Sequence, residues 1–145
     1  MDLASFIQLS GLLVAVIALC WTAYGVYLNR KIKQAEFWMQ LRVDFSKYDE
    51  VHSNLRPGGK WWRREGPNTV EEWVKVEGYM GLFEHCEIML KQGLLDESVF
   101  ADSYKYRIAN IVSNESIRQA KLIKHAQGWE RFIELCKRLE LPITP

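Results

Sequence analysis

Three groups of residues in this chain carry side chains that could do chemistry. The first is Glu84-His85-Cys86-Glu87, which sets two carboxylates, an imidazole and a thiol in a row. Such a set could hold a metal ion or pass a proton if its groups met at one point. Adjacent helical positions diverge by about 100°, so on a helix only Glu84 and Glu87 share a side. A carboxylate-bridged metal site built on helices also draws on a Glu-x-x-His pair, and the sequence has none. The second group is His52 alone. It falls on an apolar stripe, which favours a hydrogen-bonded core histidine over a ligand.

The third group is Lys60-Trp61-Trp62-Arg63-Arg64, two indoles among cations. That composition suits an acidic protein partner, lipid headgroups or a nucleic-acid backbone. The favoured reading is a bundle end that Trp61 and Trp62 close while the cations stay solvated, with a protein partner second. The net charge is only +1, which gives no bulk electrostatic case for nucleic acid. P-loop, nucleophile-elbow and zinc patterns are absent. Cys20, Cys86 and Cys136 lack metal-ligand spacing and read as free, small apolar residues. The sequence therefore points to no catalytic residue, no cofactor and no metal.

The elements that must position these groups begin with residues 3–29, which carry no charged side chain. As a helix this stretch reaches roughly 40 Å, more than the ~30 Å hydrocarbon core of a bilayer. A cleaved signal peptide needs a basic start, a shorter apolar core and a small-x-small site. Here Asp2 is the only charged side chain before the run, so an uncleaved transmembrane helix is expected. A lipobox at Cys20 fails because Leu19 stands where a small residue belongs. Arg30, Lys31 and Lys33 follow the span, which places the N-terminus outside and the larger domain in the cytoplasm. Trp21, Tyr24 and Tyr27 gather near that basic end, as in an interfacial aromatic belt.

Within the span, small or weakly polar residues recur at alternating steps of four and three: Ala4, Gln8, Gly11, Ala15, Ala18, Thr22, Gly25 and Asn29. A seam of this kind lets two helix backbones approach closely. It fits a parallel homodimer, docking onto another membrane helix, or the ordinary Gly and Ala richness of membrane helices. Gly11, Ala15, Ala18, Thr22 and Gly25 are its centre.

No turn signal separates the span from Trp38, Leu41, Phe45, Tyr48, His52 and Leu55, which predict one helix running on to about residue 56. The stripe lies roughly 150° around that helix from the small-residue seam. Arg56-Pro57-Gly58-Gly59 ends the helix. A straight first helix would hold the Lys60–Arg64 loop roughly 40 Å from the bilayer, which argues against lipid as its partner. Thr69-Val70-Glu71-Glu72 reads as a capping box for a helix over 70–92, stopped by Gly93. Asp96 caps a helix over 97–113 whose face is Phe100, Tyr104, Ile108 and Ile111. Asn114 or Ser116 caps the last, over 116–140, with the stripe Leu122, Ala126, Trp129, Ile133 and Cys136; a break at Gly128 stays open. Residues 142–145 form a tail. The predicted fold is all-α: a transmembrane helix over 3–29 that continues into an antiparallel bundle of about four helices over 30–141.

The layout resembles that of small bacterial single-span membrane proteins with an uncharacterised helical domain. The residues that carry the likeness are the Trp38–Phe45 stretch, Gly81-Leu82-Phe83-Glu84, Gly93-Leu94-Leu95-Asp96 and Gly128-Trp129-Glu130-Arg131-Phe132. The resemblance implies a bacterial inner membrane and carries over no activity. The expected function is a membrane-anchored, non-catalytic interaction or scaffold protein, in contact with the lipid bilayer and an unidentified cytoplasmic or membrane protein. The alternative is an accessory or regulatory subunit of a larger transporter, enzyme or defence complex.

Overall fold

With no proline before Pro57, nothing in this stretch removes a backbone donor from the helical ladder, and helix α1 runs Leu3–Ser46. The structure is a computed structural model that describes residues 3–63 and 65–143; of residues 3–7, 9 and 10 it describes the backbone alone. The chain forms two units, Met1–Gln40 and Leu41–Pro145. In the first, the helix stretch beginning at Gly11 has a mean hydropathy of 2.0 and is long and apolar enough to cross a membrane. None of that apolar window is buried.

The second unit is a helix bundle. It contains the end of α1 and helices α2 (Asp49–Leu55), α3 (Val70–Lys91), α4 (Glu97–Ser113), α5 (Glu115–Ile117) and α6 (Glu130–Arg138). Among the described residues all regular structure is helical. The helix expected to continue to residue 56 breaks instead at Lys47-Tyr48. There the backbone bonds tighten to Lys47 N–Asp44 O at 3.3 Å and Tyr48 N–Phe45 O at 3.0 Å. Asp49 and Glu50 then restart the helix, their charges complementing its N-terminal dipole. The turn sets the Tyr48 ring 5.6 Å from that of Tyr79 and against Gly78, where an added Cβ would fall 2.6 Å from the Tyr48 hydroxyl.

Helix α3 starts with the capping box read from the sequence. Thr69 accepts from the Glu72 amide at 3.2 Å, and Glu72 accepts from the Thr69 amide at 3.1 Å. It ends in a Schellman motif at Gly93 (φ 65°), with Leu94 N–Met89 O at 2.9 Å and Gly93 N–Leu90 O at 3.0 Å. Asp96 caps α4 through the Val99 amide at 3.0 Å. The expected α4 face of Phe100, Tyr104, Ile108 and Ile111 is buried. The core is built on rings: Phe45 stacks on Tyr104 at 4.4 Å and meets Phe83 at 4.8 Å, and Phe83 leads on to Phe132 at 6.2 Å.

The helix predicted over 116–140 is several pieces. After α5 come a π-helical stretch, Arg118–Ile123, and a 3-10 turn, Ala126–Trp129. Each departure from the α ladder resets the rotational phase, so Trp129 and Ile133 leave the expected stripe, while Leu122 and Cys136 are buried as expected. The buried set in α6 is Phe132, Leu135 and Cys136, continued by Leu139, rather than Trp129 and Ile133.

Two glycines make opposite demands. A Cβ at Gly59 would lie 2.3 Å from the Ser53 carbonyl and 2.4 Å from that of Asn54, both backbone atoms. A Cβ at Gly81, within α3, would meet nothing within 4 Å. Gly59→Ala is expected to lower unfolding free energy by about 1–3 kcal/mol. Gly81→Ala is expected to raise it by about 0.4–1 kcal/mol by restricting the unfolded chain. Urea unfolding followed by circular dichroism checks both.

Candidate functional site

The seam residues Gly11, Ala15, Ala18, Thr22 and Gly25 are all exposed in α1. A Cβ at Gly11 or Gly25 would meet nothing within 4 Å. The Thr22 hydroxyl donates to the Ala18 carbonyl at 2.9 Å, so its own helix satisfies it. Trp21, Tyr24 and Tyr27 are exposed as well, and the Lys31 ammonium lies 5.6 Å from the Tyr27 ring centre.

The loop after α2 is held in shape by hydrogen bonds to its backbone. Trp61 N donates to Asn54 O at 2.8 Å, and Glu115 N donates to Arg63 O at 2.5 Å. Asn114 is fully buried and acts three ways. Its side-chain amide donates to the carbonyls of Trp61 (2.5 Å) and Glu65 (3.2 Å), and its oxygen accepts from the Ile117 amide at 2.9 Å. It thus ends α4, caps α5 and anchors the loop at once. Arg63 adopts φ 70°, a left-handed conformation uncommon for a non-glycine residue.

This geometry corrects the five-residue surface expected at Lys60, Trp61, Trp62, Arg63 and Arg64. Trp61 is 2% exposed and belongs to the core, because consecutive side chains in the loop point apart and only one indole can enter. Lys60 is committed to Glu72 at 2.9 Å. Arg64 lies outside the described residues. What remains is an exposed pair, Trp62 with the Arg63 guanidinium 4.6 Å over its ring.

Glu84, His85, Cys86 and Glu87 diverge, as helical geometry requires. His85 is exposed, while Cys86 and Glu87 are buried. Glu84 is half-buried and accepts from the Phe132 amide at 3.3 Å, and burial raises its carboxyl pKa. Cys86 and Cys136 are free and buried, with their thiols pushed up to about 12 by burial, so neither is a ready nucleophile. Among the described residues no three His, Cys, Asp or Glu side chains gather as metal ligands. His52 is half-buried, 5.4 Å from the Tyr106 ring. Its Nδ1 has no hydrogen-bond partner, contrary to the satisfied core histidine expected from the stripe.

Asn114 caps a helix as the sequence suggested, but its hold on the loop was not read, nor was the pair Glu87–Arg138. Glu87 is 1% exposed and takes both guanidinium arms of Arg138 at 2.9 Å. A third bond at 2.9 Å joins Arg138 to Glu97. A signal existed: Glu87 continues the three-four spacing of Met80, Phe83 and Leu90, where an apolar residue would otherwise stand. Comparison with protein-family models, curated proteins and solved structures finds no match to this chain.

Asn114→Ala is expected to cost about 2 kcal/mol or more, since it leaves buried carbonyls and an amide unpaired. It should also speed trypsin cleavage at Lys60 and Arg63 in the full chain, measured by timed digestion and mass spectrometry. A pH effect follows from Glu72. The Asn68 amide and Lys60 hold its carboxyl down to about 2, below the ordinary value of 4.5. A depressed folded pKa stabilises above the unfolded value and is lost as pH falls toward the folded one. Thermal melts between pH 5 and 2 should therefore show a loss in the native protein that is smaller in Glu72→Gln.

Proposed function

We propose that this chain is a membrane-anchored, non-catalytic interaction protein. Its first unit is the anchor, and its bundle offers the surface that a partner reads. The observation that carries this reading is the unburied apolar run of α1. From Leu12 to Leu28 its large hydrophobic side chains are exposed, and water would not tolerate so long an apolar face. Arg30, Lys31 and Lys33 beyond the run favour an N-terminus outside and the bundle in the cytoplasm, in a bacterial inner membrane. The exposed Trp62 and Arg63, fixed by a pinned loop, form a rigid aromatic-cation feature of the type enriched at protein interfaces. Nucleic acid has no part in the reading. Tethering would raise the effective concentration of the bundle toward any partner held at the same membrane.

The open seam supports pairing through α1 as a parallel homodimer. It equally supports docking onto the helices of a larger complex, which would make the chain an accessory or regulatory subunit. Mild-detergent purification of the full chain separates the two. A homodimer by light scattering, reduced to monomer in Gly11→Leu/Ala15→Leu/Ala18→Leu, is the expected result. A stable large hetero-complex favours the subunit reading. Release of the chain from membranes by alkaline carbonate, or loss of the apolar run by processing, would overturn the anchor itself.

A further inference from the structure

Past Asn29 the first helix still carries large apolar side chains that the described residues leave uncovered. Between residues 29 and 46 those exposed are Ile32 (57%), Met39 (73%) and Val43 (54%). All three lie beyond Arg30 and Lys31, where the charged flank takes the helix out of hydrocarbon. They do not serve the bundle. Leu41 and Phe45 are its core residues on this helix, each 2% exposed, and Val43 stands about 160° around the helix from both.

Their positions are not scattered. The alternating steps of four and three that place Gly11, Ala15, Ala18, Thr22, Gly25 and Asn29 run on without a slip through Ile32, Glu36, Met39 and Val43. The next step is Ser46, the last residue of α1. A seven-residue repeat of this length says what kind of partner fits. On a straight helix it drifts about 20° per heptad, roughly 90° between Gly11 and Val43. The seam keeps one face only where two helices wind around each other in a left-handed supercoil.

We propose that α1 pairs with α1 of a second copy of this chain, in a parallel coiled coil that continues past the membrane to Val43. This rests on α1 being the anchor. Two copies inserted the same way in one membrane run parallel, so each seam residue meets its own counterpart at the same depth. The layers suit that symmetry. In lipid they are small and let the backbones approach. In water they are Ile32, Met39 and Val43, whose burial there is driven by the hydrophobic effect. Asn29, between the two, meets a second amide; each amide both donates and accepts, so the pair satisfies itself and fixes register. The Thr22 hydroxyl, already bonded to the Ala18 carbonyl, brings no unmet donor to the seam. Glu36, also exposed, is the exception. Its two copies set like charges face to face and keep the pairing weaker than the apolar layers alone would make it. A helix from another protein has no need of layers that each match themselves.

The test is cysteine crosslinking of the full chain in native membranes, in a Cys20→Ser background; Cys86 and Cys136 are buried. Oxidation with copper phenanthroline should give disulfide-linked dimers from Ile32→Cys, Met39→Cys and Val43→Cys. Lys31→Cys and Gln34→Cys, off the seam, should give about tenfold less, because their Cα atoms stand too far apart to be bridged. Glu36→Gln should tighten the dimer about fivefold, read by energy transfer on detergent dilution. Ile32, Glu36, Met39 and Val43 are all exposed, so the circular dichroism of the bundle should not change in these variants. Equal crosslinking on and off the seam, crosslinks only to a different protein, or no gain from Glu36→Gln overturns the proposal. Crosslinking of Ala18→Cys with none from Ile32→Cys, Met39→Cys and Val43→Cys also overturns it, while pairing within the membrane stands. Release of the native chain by alkaline carbonate is the separate result that removes the anchor, and the proposal with it.

Discussion

The bundle depends on a charge that it has taken out of water. Glu87 is buried on α3, and an ionised carboxylate in that position is tolerable only with a good partner. Arg138 supplies one through two parallel bonds, then continues to Glu97 on α4. Fork geometry of this kind fixes angle as well as distance. The last turn of α6 must therefore arrive at one height and one rotation on α3, near the first turn of α4. Lys91 adds a weaker hold, 3.9 Å from Glu87 and 2.5 Å from Glu134 of α6. Removing either partner would leave an uncompensated buried charge, so the network ties α3, α4 and α6 to one register.

The segment before α6 makes sense as a consequence. A continuous helix from Asn114 would turn Trp129 and Ile133 inward with Leu122. The observed chain loses phase through its π-helical and 3-10 stretches, and Phe132, Leu135 and Leu139 turn inward instead. Irregular backbone must still satisfy its polar groups, and Asn114 does part of that work at the upstream end. With one side chain it answers a carbonyl at Trp61, another at Glu65 and the amide of Ile117. The Lys60–Arg63 loop and the start of the irregular segment are in this way held by one residue. The loop can then present Trp62 at little further entropic cost.

Legibility in the sequence followed the continuity of the helices. Helices α3 and α4 could be read because each keeps one phase from cap to stop, and the caps at Thr69, Gly93 and Asp96 are local chemistry. The break at Lys47-Tyr48 could not be read, because the stripe Phe45, Tyr48, His52, Leu55 keeps helical spacing across it while the backbone departs from the ladder. The phase of α6 was out of reach for the same reason in reverse. Trp61 and Trp62 are chemically identical neighbours. Only the tertiary pinning of the loop by Asn54, Asn114 and Glu115 decides which indole is buried. Glu87 announced itself as a charge on an apolar stripe, but its partner lies 51 residues away, a distance that no periodicity reaches.

The polar groups of the bundle interior fall into two kinds. Glu87 and Asn114 are buried with partners placed on several elements, as expected of groups that specify a fold. His52 Nδ1, Trp61 Nε1 and Arg118 Nε are buried atoms without a hydrogen-bond partner. An unpaired buried donor costs on the order of 1–3 kcal/mol. Trp61 shows what offsets that cost: its indole is 2% exposed, and burying so large a ring contributes more than one unmade bond removes.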